Sequence, residues 1–304
     1  MSENNIVDIF DDDIDLKSLF KIIWDRKFFI ASLTSLAAIL SVIYALSLPN
    51  IYTSKSLLAP TSQDESLSSQ LSGLSGLAGL AGVSLPTGTI SNSQIAVKRI
   101  ETFEFFSKYF LPNIKLENLM AAKEWDSKGN SIIYDSSTFD NNSNKWIGAY
   151  KPSEQKAFKE YKRILRISQE ELTGLVYLSV DHKSPEIAKK WVDIIIYNIN
   201  ESMREIDKLD AQNSIDFLKQ SSQTVSIQSI KEVVSKLLER QMQTLMLASS
   251  NKAYVFKTIN SPIVPEDKSG PSRAIICILG TVLGGIMSIL FVLFQNFRKL
   301  SRKN

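Results

Sequence analysis

Two uncharged apolar runs constrain this chain more than any other feature. Phe28 to Leu48 (FFIASLTSLAAILSVIYALSL) and Ala274 to Phe294 (AIICILGTVLGGIMSILFVLF) are 21 residues each. As helices rising 1.5 Å per residue, each would reach roughly 31 Å, the thickness of a bilayer's hydrocarbon core. The runs are therefore expected to be transmembrane helices over 28–48 and 274–294. A cleaved signal peptide is the competing reading of the first run, because Ala45-Leu46-Ser47 offers a small-x-small site. Its length argues otherwise, since signal cores run to about 7–15 residues. So do the 27 residues ahead of it, seven of them acidic.

Basic residues at the ends of the runs set the expected orientation. Lys17, Lys21, Arg26 and Lys27 precede the first span, and Arg298, Lys299, Arg302 and Lys303 follow the second. The facing flanks carry Lys55, Lys268 and Arg273. Cationic residues stay on the cytoplasmic side. The expectation is thus a cytoplasmic tail over 1–27, a second cytoplasmic tail over 295–304, and a domain over 49–273 across the membrane. That central segment holds 27 basic and 25 acidic residues, and a net charge of +2 argues against a nucleic-acid surface.

Residues 73–82 read GLSGLAGLAG, placing Gly73, Gly76, Gly79 and Gly82 three apart. A phosphate-binding Walker loop requires a lysine, and none lies between Lys55 and Lys98. A membrane-dimer seam needs glycines four apart in a long apolar run, and a collagen helix needs many proline-bearing triplets. What remains is a small-residue loop or broken helix that packs backbone closely against a neighbouring subunit, or a flexible linker.

The rest of the central segment reads as alternating elements. IYTSKSLLA (51–59) suits a strand, and 92–110 suits one amphipathic helix with Ile95, Arg99, Phe103 and Phe106 in line, stopped by Pro112. Residues 126–152 read as an irregular insertion with one buried aromatic, Trp146. Ser153 caps a helix to about Arg163. RILRIS (163–168) and LVYLSVD (175–181) form a hairpin burying Leu165, Ile167, Val176, Leu178 and Val180 on one face. Ser184-Pro185-Glu186 starts a long helix with the stripe Val192, Ile195, Ile199, Met203, Ile206 and Leu209. After the polar patch QSSQTVSIQS (220–229), Ser229 and Glu232 offer a capping box for a helix striped by Ile230, Val234, Leu238, Met242 and Leu245. The long helices are expected over 185–249, and AYVFKTI (253–259) suits a returning strand. The fold class is α+β, with a split β-α-β arrangement beside the membrane and helices projecting away.

Catalytic chemistry is sparse. Cys277 lies inside the second span and His182 at the end of a strand, so neither thiol nor histidine catalysis is expected. Glu170-Glu171 falls in a hairpin turn and Asp11-Asp12-Asp13 in a polar tail, where solvated charge is the default. No nucleotide, zinc or serine-hydrolase motif occurs, so no enzyme, cofactor or metal is expected. In the second span Gly280, Gly284, Gly285 and Ser288 leave one helix face smooth enough for close contact with another helix. Ahead of it, SPIVPEDKSGPSR places Pro262, Pro265 and Pro271 before Arg273 as a stiff approach to the bilayer.

The two spans, the Leu/Gly stretch, KPSEQ (151–155), TGLVYLSVDHKSPEIAKKW (173–191) and the proline-rich entry to the second span together resemble the Wzz chain-length determinant family. Against that family's late pattern of Pro-x2-Pro-x4-Ser-Pro-Lys-x11-Gly-x3-Gly, Pro262, Pro265, Pro271 and Gly284 match in spacing. Gly270, Ser272 and Ser288 stand where the pattern has serine, lysine and its last glycine, a departure that bears on partner choice. The resemblance implies a polysaccharide co-polymerase of the bacterial inner membrane. Such a protein forms a ring-like homo-oligomer with an α/β base and helices rising into the periplasm. Its partners would be a membrane glycan polymerase, lipid-linked polysaccharide such as O-antigen, and membrane lipid. It would set how many units are added without making bonds itself. An adaptor for a separate cytoplasmic tyrosine kinase is the alternative. With ten residues after Phe294, neither a fused kinase nor a sensor's signalling domain is expected.

Overall fold

The computed structural model describes residues 23–61, 91–148, 151–224, 228–250 and 253–301. The glycine repeat at Gly73, Gly76, Gly79 and Gly82 lies outside them. In chain order the elements are α1 (Lys27–Ser47), β1 (Tyr52–Pro60), α2 (Asn92–Ile100), α3 (Leu116–Met120), β2 (Ala122–Asp126), β3 (Ser131–Tyr134), β4 (Phe139–Asp140) and β5 (Lys145–Trp146). There follow α4 (Glu154–Ile164), β6 (Leu165–Gln169), β7 (Val176–His182), α5 (Pro185–Thr224), α6 (Gln228–Ser250), β8 (Phe256–Asn260) and α7 (Arg273–Ser301). They fall into two compact units, one of Met1–Pro49 with Gly270–Asn304 and one of Asn50–Ser269. Pro271 and Arg273 thus belong with the apolar helices rather than with the central domain, whose end was expected at 273.

In the central unit four strands make one sheet in the order β6-β7-β1-β8, every neighbouring pair antiparallel. The alternation read from the sequence fixes which face is covered: Ser54, Ser56 and Leu58 of β1 and Val176, Leu178 and Val180 of β7 are buried. Against them lie Trp191, Val192, Ile195 and Ile199 of α5, in one cluster with Phe105, Phe106, Phe110 and Tyr161. A hydroxyl in such a place needs a partner. Ser54 Oγ donates to Ile263 O at 2.8 Å and Ser56 Oγ to Asn260 O at 2.7 Å.

The helix expected over 92–110 is broken. Ser91 and Gln94 form a reciprocal capping box at its start, but α2 ends at Ile100. Thr102 then caps a new turn: its Oγ1 accepts the Phe105 N–H at 3.2 Å and donates to Arg99 O at 2.7 Å. A single π turn (Phe106–Phe110) and a 3-10 turn (Leu111–Asn113) complete the segment. Ile95 and Phe103 of the predicted stripe are exposed, because α2 turns Ala96, Val97 and Ile100 inward and the new turn after Thr102 buries Phe105 and Phe106.

The 126–152 insertion also departs from expectation. Two small hairpins, β2–β3 and β4–β5, occupy residues 122–146, shaped by aspartate-led turns. Asp126 accepts the Lys128 and Gly129 N–H groups, Asp140 accepts the Asn142 N–H, and Asn130 and Asn144 take positive φ. Asparagine tolerates that conformation better than other side-chain-bearing residues. The buried aromatic is Phe139, and Trp146 is half-buried edge-on to it at 5.1 Å.

α5 is one continuous helix of 40 residues. Its predicted stripe holds through Met203, whereas Leu209 is exposed; farther along, Ala211 and Ile215 are buried on the part of the helix that packs with α6. Ser229, the expected cap, lies within α6 as described over Gln228–Ser250.

The returning strand starts at Phe256, later than expected, because the residues before it are held by a side chain instead of the sheet ladder. Asn200 Oδ1 of α5 accepts the N–H groups of Tyr254, Val255 and Phe256 at 3.0, 2.8 and 2.9 Å. Its Nδ2 donates to Ile196 O at 3.0 Å and Phe256 O at 3.2 Å. Leaving a buried donor unpaired costs about 1–3 kcal/mol. Replacing Asn200 with leucine is therefore expected to remove about 3 kcal/mol or more from the central unit, read as a lower denaturant midpoint for the fluorescence of buried Trp191. Asn200→Asp, which keeps the accepting oxygens, should lose less.

Candidate functional site

Among the described residues no three His, Cys, Asp or Glu side chains gather as a metal site. Cys277 is half-buried within α7. Glu170 serves its turn, accepting the Thr173 hydroxyl at 2.6 Å. His182 is buried edge-on to Trp191 at 4.7 Å. Its Nδ1 accepts the Ser184 N–H at 2.9 Å, so the ring proton sits on Nε2 and is donated to Asn118 O at 3.0 Å. Burial pushes this imidazole down to about 4. It is a neutral bracket between the end of β7 and the start of α5.

The residues singled out in the second apolar run do come together with the first. α1 and α7 pack antiparallel as a unit, and both are long and apolar enough to cross a membrane. The seam between them is built of small residues. A Cβ added at Gly280 would lie 2.6 Å from Ser41 Cβ, and one added at Gly284 would collide with Ala37 Cβ. Gly285 faces Thr34 at ordinary contact distance, 3.8 Å from its methyl group. Ser288 is fully buried; its Oγ donates to Gly285 O at 2.8 Å and lies 3.3 Å from Thr34 Oγ1. Ser41 Oγ donates to Ile276 O at 3.0 Å, and Arg26 donates to Gln295 Oε1 at 2.9 Å. Where apolar side chains gain nothing by leaving lipid, close backbone approach and a few interhelical hydrogen bonds hold helices together. Sequence reasoning missed the complementary residues Thr34, Ala37, Ser41 and Ala45 on α1, although their spacing of three, four and four was there to be read.

The proline-rich residues divide between the units. Pro262 is buried and Pro265 half-buried in the central unit, where the Ser54 bond to Ile263 O holds their segment to β1. Pro271 and Arg273 sit at the head of α7, and Arg273 Nη2 donates to Leu48 O at 3.2 Å, tying that head to the end of α1.

Two outcomes follow from this geometry. A histidine held near 4 when folded and near 6.5 when unfolded takes up its proton in the unfolded chain first. Stability from this group is complete above about pH 6.5 and falls by about 3 kcal/mol on going down to pH 4. His182→Gln should flatten that part of a denaturation-against-pH curve. In the membrane pair, T34C with S288C in a C277A background should cross-link within the chain under mild oxidation, and adding G284L should cut the yield several-fold by forcing the helices apart.

The family model described as Wzz: Chain length determinant protein matches residues 12–102. No curated protein matches the chain in sequence. Among solved structures, a full-length bacterial polysaccharide co-polymerase aligns over 94% of this chain and 98% of its own, at 15% identity and a TM-score of 0.43. A fragment of WzzB, polysaccharide co-polymerase from Salmonella Typhimurium, aligns over 73% of this chain and 100% of its own, at 14% identity and a TM-score of 0.30. The matched residues overlap the first span and the Leu/Gly stretch of the resemblance described above, while its later motifs lie outside them. Over residues 12–102, which take in α1, β1 and α2, this chain is thus shown to share the sequence pattern of the Wzz chain length determinant family.

Proposed function

We propose that this chain is a non-enzymatic regulator of polysaccharide length, an oligomeric inner-membrane co-polymerase working beside a glycan polymerase on a lipid-linked glycan such as O-antigen. The observation that carries this reading is the Wzz match beginning ahead of one apolar helix, with a second such helix packed against the first. In this reading both termini are cytoplasmic, the central unit is periplasmic, and membrane lipid surrounds α1 and α7. The strand order β6-β7-β1-β8, with β7 between β6 and β1, supports a ferredoxin-like base of the split β-α-β kind.

The long helices support self-association. Tyr197, Leu209 and Phe217 of α5 and Val233 and Met246 of α6 are large apolar side chains left more than half exposed. A periplasmic helical hairpin with that much apolar surface suits burial against further copies. The repeat at Gly73, Gly76, Gly79 and Gly82 is assigned to packing between subunits, and Pro262, Pro265, Pro271 and Arg273 to the membrane-proximal segment. Gly280, Gly284, Gly285 and Ser288 hold the span pair in the form that meets the polymerase.

Deleting the gene and comparing surface polysaccharide on a gel tests the reading. A modal cluster of chain lengths should collapse to a random distribution and return with the intact gene, whereas an unchanged ladder would refute it. In the same assay G284L should shift or broaden the modal length without abolishing polymer.

A further inference from the structure

The β2–β3 hairpin and α3 do not extend the sheet; they stand against the start of α5 and enclose a cleft of about 580 Å³ with it. That volume lies within the roughly 300–1,000 Å³ of small-ligand sites. The floor is apolar, made by half-buried Ile114 and Ile187 and the buried Trp191. The mouth is amide-rich and exposed, with Asn113, Asn130 and Asn141 accompanied by Lys115 and Lys190.

Two features separate this cleft from an incidental gap. Its far wall is braced: Asn130 Oδ1 accepts Trp125 Nε1–H at 3.0 Å, while Asn130 Nδ2 donates across to Glu186 Oε1 at 2.8 Å. Tyr134 donates to Asn118 Oδ1 at 2.6 Å, joining β3 to α3. A wall held this way is set before any ligand arrives, which lowers the cost of binding. The second feature is that the mouth keeps polar groups in reserve. Asn141, Lys115 and Lys190 have unengaged side chains among the described residues, and Asn113 spends its Nδ2 on Tyr109 O at 2.8 Å but keeps its oxygen.

An amide both donates and accepts, as a hydroxyl does, and an apolar floor suits the C–H faces of a pyranose ring. We infer that this cleft is a saccharide-binding site that takes a short stretch of a polyhydroxylated glycan, its ring faces on Ile114 and Ile187 and its hydroxyls on the amides and lysines at the mouth. The choice of saccharide rests on the reading of the chain as a glycan-length regulator; the place rests on the cleft alone.

The test uses the full chain in detergent and, as probe, lipid-free surface polysaccharide released from the producing cells by mild acid and trimmed to short oligosaccharides. Saturation-transfer NMR should show the oligosaccharide bound to the native protein, and calorimetry should show affinity falling tenfold or more in an N141A/K190A double variant whose melting temperature is unchanged. N130A, which unties the wall from Glu186, should weaken binding as well. Absence of transfer to the native chain would overturn the site, as would undiminished binding by both variants. Either failure leaves the function standing if the gene deletion randomises chain lengths. A cleft that binds while the deletion leaves the ladder unchanged keeps the site and removes the function.

Discussion

The central unit closes on a pairing between its two ends, β1 with β8, and closing so long a loop carries an entropic cost before any contact repays it. Three consecutive backbone N–H groups, those of Tyr254, Val255 and Phe256, need acceptors where that pairing begins, at Phe256 opposite Pro60. One amide, Asn200, takes all three and returns its own N–H groups to Ile196 and Phe256. It sits one residue beyond Ile199 of the core stripe, so the helix that covers the sheet also fixes where the last strand begins. Ser54 and Ser56 continue the same task on β1, gripping Ile263 and Asn260. The polar atoms inside this core thus act as register marks, and the apolar ones supply the driving force.

The other face of the sheet shows the same economy. Asp181 on β7 accepts the Thr53 hydroxyl of β1 at 2.6 Å and pairs with Arg166 of β6, so one carboxylate spans three strands. With Arg166 largely exposed and Asp181 buried, the pair itself contributes modestly to stability. Its shared acceptor nevertheless favours the register that puts Val180 opposite both Ser54 and Leu165.

Elements governed by local chemistry were legible in the sequence. The β6–β7 alternation, the Ser153 cap and the Ser184-Pro185-Glu186 start each depend on a few adjacent residues, and each stands close to where the pattern put it. What escaped had a nearby competitor or a distant partner. Thr102 overrode a helical periodicity by capping a new turn, a role its neighbours do not announce. The insertion looked irregular because its order comes from aspartate turns, and a strand of two residues leaves no alternation to count. Asn200 could not be found at all, since an asparagine on a long helix reads as solvent-facing until the chain's last strand is laid beside it. For the candidate site, the smooth face of Gly280 and Gly284 was plain, while its counterpart on α1 was overlooked among larger apolar residues. The cleft beside α5 was invisible, because its lining is drawn from the segment leading into α3, both small hairpins and the start of α5.

The unbroken run of α5 has a mechanical consequence. Forty residues without a proline inside the helix or a change of winding make a rod of roughly 60 Å. One end is locked by Asn200, His182 and Trp191 into the sheet, and the other, among the described residues, is gripped by α6. A load on the free end meets no hinge on its way down, so a tilt of about 5° at the root answers a displacement of about 5 Å at the tip. The helix is a lever whose fulcrum lies in the aromatic core, and whatever pushes on its far end is felt directly where the first and last strands meet.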